Sequence, residues 1–404
     1  MEPSIRKPKP VQSKRPQQRK PDDLSRCLTP LMVDETLIAV VELSLSGWLV
    51  AGVVPGVERQ PLKKLKPELD RLLELLQRWG NEAERTGYKI ARIVVAYEAG
   101  RDGFWLARTL KAHGIEAHVI HPASVAVSRE HRRAKTDRLD TELLKRAFIG
   151  WLRGERDHCR MVAIPSFHEE DAKRPSRERE CLVAEQSRLI NRMKSTLVRL
   201  GIRGFNPKLK CAMRRLEELR TPEREALPPN TLAQLRRDLE RRAFICEQIQ
   251  KIEAERVARL ERAPEAGPTV MVRLLARVIG IGVETADLLV HEILLRSMRD
   301  RRAVGRYAGL TGSPQQSGSL NREKGLARSG NPRVRRTMVQ LAWRFLLHQK
   351  DSALAQWFYE RTKNARRTRK TMIVALARKL LVLFALWRLV HEGIVPEGIV
   401  MRPA

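Results

Sequence analysis

The sequence predicts an α/β N-terminal domain, a central α-helical arm of coiled-coil type and a mostly α-helical C-terminal domain. Three observations carry the prediction. Over residues 31–165, β-rich runs alternate with helical patterns, as in a sheet covered by helices. Over residues 166–265, charged side chains dominate and apolar residues recur at helical spacing. From residue 266 to 404, amphipathic segments follow a glycine-bearing turn between two helices. A chain of 404 residues exceeds one small core, so several folded units are expected.

Residues 1–30 open the chain as a basic arm. The first 20 are rich in proline, lysine, arginine and glutamine, and they lack the apolar run of a signal peptide. The run TLIAVVELSLSGWLVAGVV then reads as a strand, a Ser/Gly turn and a second strand. A helical pattern covers LKKLKPELDRLLELLQRWG, and ARIVVAYEAG at 91–100 has the look of a buried strand. An amphipathic helix near 103–113, a strand at GIEAHVIHP and a helix running through Trp151 complete the domain.

In the arm, Leu182, Leu189, Met193, Leu197 and Leu200 form one helical stripe. Leu232, Leu235, Leu239, Ile245, Ile249 and Ile252 form a second, and GIRGFNPK and TPEREALPPN break the helix between them. The expectation is a helical hairpin that holds domains or subunits together. In the last domain, Ile279, Gly280, Ile281 and Gly282 join two helices. Such a helix-hairpin-helix turn could bring Gly280 and Gly282 close to a phosphate, although any tight turn could use the same glycines. Trp343, Phe345, Trp357, Phe358 and Trp387 are expected in helical cores.

Charge narrows the choice of partner. Lysine and arginine number 78 against 47 acids, a formal charge of +31, which favours a polyanion such as nucleic acid. An anionic membrane surface would also attract such a chain. The apolar stretch LLVLFALW is far too short for a membrane span, so a soluble intracellular protein, cytoplasmic and nucleoid-associated, is expected. Five scattered cysteines and nine histidines without paired spacing argue against a zinc site or a disulfide framework.

The chemistry concentrates in four acids: Glu42 and Glu98 at the ends of their strands, and Asp137 with Asp140 in HRRAKTDRLDTELL. Residues three apart on a helix share a face, so both aspartates could point to one centre. Hard divalent ions such as Mg2+ favour carboxylate oxygens, and a pair of them can activate an attacking oxygen and stabilise a leaving one. The competing reading is a helix start whose aspartates suit the helix dipole and balance nearby cations.

The runs "IAVVELS", "VAYEAG" and "AKTDRLDTELL", in that order, resemble the acidic signature of the RuvC-like (RNase H-like) domain of DEDD transposases. These form the insertion-sequence one-ten family, which includes the Piv-type DNA invertases. Downstream, "YAGLTGSPQQSGSLNREKGLARSGNPRVRRTMVQLAW" is similar to that family's C-terminal transposase domain. The resemblance implies that Glu42, Glu98, Asp137 and Asp140 bind Mg2+ and that Ser317 attacks a DNA phosphodiester to form a phosphoserine link. It also implies a structured bridge RNA that guides the enzyme, and a homo-oligomer, dimer or tetramer, acting on element ends and target DNA. Exchange of phosphodiesters needs no nucleotide hydrolysis, and the sequence holds no P-loop motif.

Around these positions, Arg132, Arg133, Lys135, Arg322, Lys324, Arg328 and Arg333 are candidates for phosphate contacts, with a solvated basic face as the competing reading. Two positions depart from the family pattern. Glu42 stands where aspartate is usual, which moves the carboxylate by roughly one C–C bond, a change to which Mg2+ geometry is sensitive. Gly312 stands where proline usually follows the threonine. A RuvC-like structure-selective nuclease using water, or a non-catalytic nucleic-acid-binding descendant, are the alternative readings.

Overall fold

The computed structural model describes residues 24–125, 136–263, 266–298, 300–318, 320–327, 329–363, 368–381, 386–395 and 398–403. The chain divides into two compact units. One is built on residues up to 163 with residues 297–300, and the other on residues 164–296 and 301 onwards.

The first unit is a five-stranded mixed sheet with helices against it. Its elements are β1 (Thr36–Leu43), β2 (Trp48–Val53), β3 (Leu62–Leu65), α1 (Leu69–Arg85), β4 (Arg92–Glu98), α2 (Trp105–Ala112), β5 (Glu116–Ile120) and α3 (Asp137–Leu152). The strand order is β3-β2-β1-β4-β5. The first three strands are antiparallel neighbours, and β1, β4 and β5 run parallel. Residues 37–41 and 94–97 are fully buried, which explains their continuous apolar run: a central strand covered on both faces has no solvent side to mark.

One expectation needs correcting. The helical pattern that seems to start at Leu62 begins only at Leu69, and Leu62–Leu65 forms the edge strand β3. Pro67 explains the break, since the residue before proline is pushed out of the helical region.

The packing of α3 orients the unit. Leu144, Ala147, Phe148 and Trp151 lie in one core cluster with Ile38, Val40, Val94, Ala96 and Ile120. The C-terminal end of α3 sits towards the beginnings of the parallel strands. Trp151 O accepts from Cys27 N (2.9 Å), and Cys27 Sγ lies 3.9 Å from Nη2 of Arg92, the first residue of β4. Its first turn therefore lies towards the strands' C-terminal ends. Phe148 is wholly buried on this stripe.

Arg92 grips Glu116, the first residue of β5, through two hydrogen bonds of 2.7 and 2.8 Å, and His118 adds a third at 2.7 Å. The His118 hydrogen bond foremost, then Arg92, hold the Glu116 carboxyl at about 2, well below its usual 4.5. A depressed carboxylate stabilises the fold above its unfolded-state pKa and loses that contribution as pH falls through its folded one. The difference in melting temperature between wild type and Glu116→Gln is thus expected to be largest near neutral pH. It should shrink as pH falls from about 4.5 to about 2, read by thermal melts in parallel buffers.

The second unit is helical apart from one hairpin. Its elements are α4 (Phe167–Asp171), α5 (Arg174–Arg199), α6 (Ala212–Glu218), α7 (Pro229–Arg262), α8 (Pro268–Arg277), α9 (Val283–Leu289), α10 (Arg301–Tyr307), β6 (Gly312–Ser317), β7 (Leu320–Leu326), α11 (Pro332–His348), α12 (Ala353–Thr362), α13 (Arg369–Lys379) and α14 (Leu386–Glu392). The partners of α5 and α7 run in opposite senses: Arg192 pairs with Asp238 (3.0 Å), Arg179 with Glu253 (2.7 Å) and Ser176 with Arg256 (3.1 Å). Between them lie Leu189, Met193, Leu197, Leu235, Leu239, Ile245 and Ile249, most of the two stripes read from the sequence.

Two features of this unit depart from expectation. Within a domain expected to be mostly helical, Gly312–Ser317 and Leu320–Leu326 pair as antiparallel strands. Trp343 is 39% exposed rather than a core residue, while Phe345 and Phe358 are buried.

Candidate metal and nucleic-acid site

The four predicted acids all belong to the first unit, and its topology brings them to one end. Val41 pairs with Tyr97 in the parallel register of β1 and β4, so Glu42 and Glu98 stand side by side one step further on. Side chains alternate faces along a strand. Ile38 and Val40, and likewise Val94 and Ala96, point to the α3 face, so Glu42 and Glu98 continue that face. Tyr97 points the other way: its hydroxyl donates to Gly103 O (3.0 Å) and accepts from Ala107 N (3.3 Å) of α2.

The aspartates arrive from the helix. Thr136 caps α3, its hydroxyl accepting from Leu139 N (3.3 Å), and Asp137 and Asp140 lie in the first turn. The buried stripe Thr141, Leu144, Phe148 and Trp151 extends back at helical spacing to Asp137 and Asp140. Both aspartates therefore continue the side of α3 that packs on the sheet, at the end where Glu42 and Glu98 emerge. Four hard oxygen donors at one end suit a divalent cation in kind. Among the described residues, however, no three acidic, histidine or cysteine side chains lie close enough together to hold an ion as they stand. The fold places the donors; it does not gather them into a finished cage.

Ser317 is the last residue of β6, exposed, and paired with Leu320 across the turn. Gly318 at φ +55° supplies the left-handed backbone that a tight hairpin turn requires. At the hairpin's base the backbone approaches itself so closely that a Cβ on Gly330 would fall 2.6 Å from Gly309 N. Below it, Asn331 caps α11 through bonds from Arg333 N (3.0 Å) and Val334 N (3.3 Å). Asn331 Nδ2 also donates to Glu292 (3.0 Å), which is 2% exposed and bonded by Arg177 (3.0 Å). Burial pushes the Glu292 carboxyl up, but Arg177, Asn331 and Lys173 outweigh it and hold the group below its usual range. Glu292, Arg177 and Tyr307, whose hydroxyl accepts from Asn331 Nδ2 (3.4 Å), are parts of this hairpin support that sequence reasoning missed. The partners lie 39 and 115 residues from Glu292, and no local pattern links them.

Among the basic candidates, Arg322 is exposed on β7. Arg333 is engaged within the unit: with Arg336 it pairs with Glu180 of α5, at 2.8 Å in its own case. Lys324 lies on β7. Arg132, Arg133, Lys135 and Arg328 fall outside the described residues. A short turn joins α8 and α9, with Gly280 at φ +98° and Gly282 exposed. Its neighbouring amides serve the fold: Ile279 N donates to Val400 O (3.2 Å) and Ile281 N to Val278 O (2.9 Å).

Residues 60–202 match a DEDD transposase family, described as "Transposase", and residues 272–359 match the family described as "Transposase IS116/IS110/IS902 family". The y4rJ protein of Sinorhizobium fredii (strain NBRC 101917 / NGR234), which carries a transposase name, is 42% identical over 391 residues, covering 93% of this chain and 97% of that protein. The transposase for insertion sequence element IS1328 of Yersinia enterocolitica is 28% identical over 301 residues, 71% of this chain and 81% of its own length. A mixed α/β unit with carboxylates at its strand ends, joined to a basic helical unit, is here the build of a transposase, an enzyme that cuts DNA. The chain belongs to the IS110 family. Among the described residues, no helix is long and apolar enough to cross a membrane.

Proposed function

We propose that this transposase cuts and rejoins DNA by transesterification, with Ser317 as nucleophile and Glu42, Glu98, Asp137 and Asp140 as the ligands of Mg2+. The carrying observation is the convergence of the strand-end glutamates and the α3 aspartates at one end of the sheet. The strand order β3-β2-β1-β4-β5, antiparallel then parallel, supports an RNase H-like unit. When bound, the metal activates the attacking oxygen and offsets charge on the leaving one.

The serine's part follows from its chemistry. The Ser317 Oγ–H bond breaks as an Oγ–P bond forms, and the P–O bond to one deoxyribose breaks, its oxygen leaving with a proton. Because one phosphodiester replaces another, rejoining is the reverse step and needs no energy source. A hydroxyl is a weak nucleophile at neutral pH and requires activation. The serine and the acids belong to different units. Units of one chain or of two subunits must therefore converge on the scissile phosphate, consistent with a dimer or tetramer. A structured guide RNA is the further partner this reading includes, and the +31 charge suits it.

The test incubates purified protein with a matching RNA, DNA substrate and Mg2+, then resolves protein–DNA adducts on denaturing gels. Wild type is expected to form an adduct that Ser317→Ala abolishes. Cleavage without an adduct would assign the attack to water, as in a structure-selective nuclease. Rescue by Glu42→Asp of an inactive wild type would mark a chain whose site had lapsed into nucleic-acid binding alone.

A further inference from the structure

The tip of the arm holds a cavity that neither the acids nor the hairpin uses. After α5, Gly201 at φ +73° turns the chain, and residues 202–208 fold back over the end of the helix. They line an open hollow of about 680 Å3, within the range of about 300–1,000 Å3 that takes a small organic group. The wall is apolar, formed by Leu197, Ile202 and half-buried Phe205. The rim carries Lys194, Arg203 and Lys208, and no acidic side chain lines it. Among the described residues, none of these three cations has a carboxylate within 4.0 Å. On α6, Glu217 pairs with Arg236 (2.9 Å) and Glu218 lies 3.8 Å from Arg214. A second cavity of the arm, about 650 Å3 and lined by α5 and α7, sets Glu185 and Glu240 among its arginines and so lacks this one-sided charge.

One aromatic ring, Phe205, beside unpaired cations fits a nucleotide whose base has left its stack, because a ring takes the base face and cations take the phosphates. The substrate of a transposase is DNA, and strand exchange exposes unpaired DNA. We propose that the arm tip binds single-stranded DNA, one base resting on Phe205 and the flanking phosphates on Lys194, Arg203 and Lys208. This rests on the family's DNA substrate and not on the serine mechanism.

The experiment photo-cross-links the full chain to an oligodeoxynucleotide carrying 5-iododeoxyuridine and maps the labelled peptide by mass spectrometry. Matched duplex DNA and an oligoribonucleotide form the other arms. The expected result is label on the peptide containing Phe205, strongest with the single-stranded DNA and lost in Phe205→Leu. Lys194→Ala/Arg203→Ala/Lys208→Ala is expected to weaken binding and to lower the slope of log affinity against log salt by about 2, since each phosphate contact on a single strand contributes about 0.7. These side chains are exposed, so thermal melts of the variant are expected to match wild type. Absence of label at the tip, equal labelling by duplex, preference for RNA, or an unchanged salt slope would each overturn the proposal. Adduct formation by Ser317 in the same samples is read separately and can fail while the tip still cross-links.

Discussion

Replacing Asp137 and Asp140 together by asparagine is expected to lower metal-dependent DNA cleavage by about 100-fold or more, since disturbing residues merely behind metal ligands already costs about 10–100-fold. The substitution keeps side-chain size and removes charge, so the packing of α3 through Leu144, Phe148 and Trp151 is left as it is. Each aspartate in the first turn also favours the helix dipole, by about 0.3–1 kcal/mol. That loss is too small to unfold the unit. Thermal melts of the double variant should therefore stay close to wild type while cleavage collapses. Cleavage at the wild-type rate would return both residues to the role of helix-start charges. Single variants add a finer test: Asp140 lies closer to the buried stripe and is half-buried, whereas Asp137 is exposed.

The second large effect is on stability. Arg256→Met is expected to lower the unfolding free energy of the second unit by about 3–5 kcal/mol, the usual cost of removing one partner from a buried ion pair. Arg256 is 1% exposed and ties α7 to two neighbours. Its Nη2 donates to Ser176 Oγ of α5 (3.1 Å), and its guanidinium contacts Glu284 and Asp287 (3.1 Å) of α9. Methionine fills much of the volume but leaves Glu284 with Arg179 (3.2 Å) and Asp287 with His291 (3.5 Å) as their remaining ion-pair partners. Urea unfolding of wild type, Arg256→Met and the triple variant Arg256→Met/Glu284→Gln/Asp287→Asn separates charge from packing. The triple variant is expected to recover much of the loss, because replacing all partners of a buried ion cluster is often nearly neutral. A single variant as stable as wild type would show the cluster to be incidental.

Much of the first unit was legible from local pattern. The runs at 36–43, 48–53, 92–98 and 116–120 are strands, and the Asp137 segment opens a capped helix. The arm's two apolar stripes meet as read. What failed did so for a physical reason. β3 has the composition of a helix start, with Lys63 and Lys64 exposed, and becomes a strand only through pairing with β2. The hairpin around Ser317 is polar on both faces, so it shows no alternation of apolar and polar residues, and cross-strand hydrogen bonding sets it instead. The pairing of Arg333 with Glu180, 153 residues earlier in the chain, has no local signal either.

By itself the sequence determined the kinds of groups present and their chain order: strand-end carboxylates, an aspartate pair three apart, a serine beside glycine and a large excess of cations. Those are properties of short stretches, where spacing decides which side chains share a face. Only the tertiary structure decided which groups are neighbours. It laid Glu42 beside Glu98 through the parallel β1–β4 register and aimed the first turn of α3 at the same end. It also bound Arg333 to Glu180 and left Lys194, Arg203 and Lys208 around one basic cavity. Such pairings span tens to hundreds of residues and follow from burying apolar faces, which no single stretch encodes.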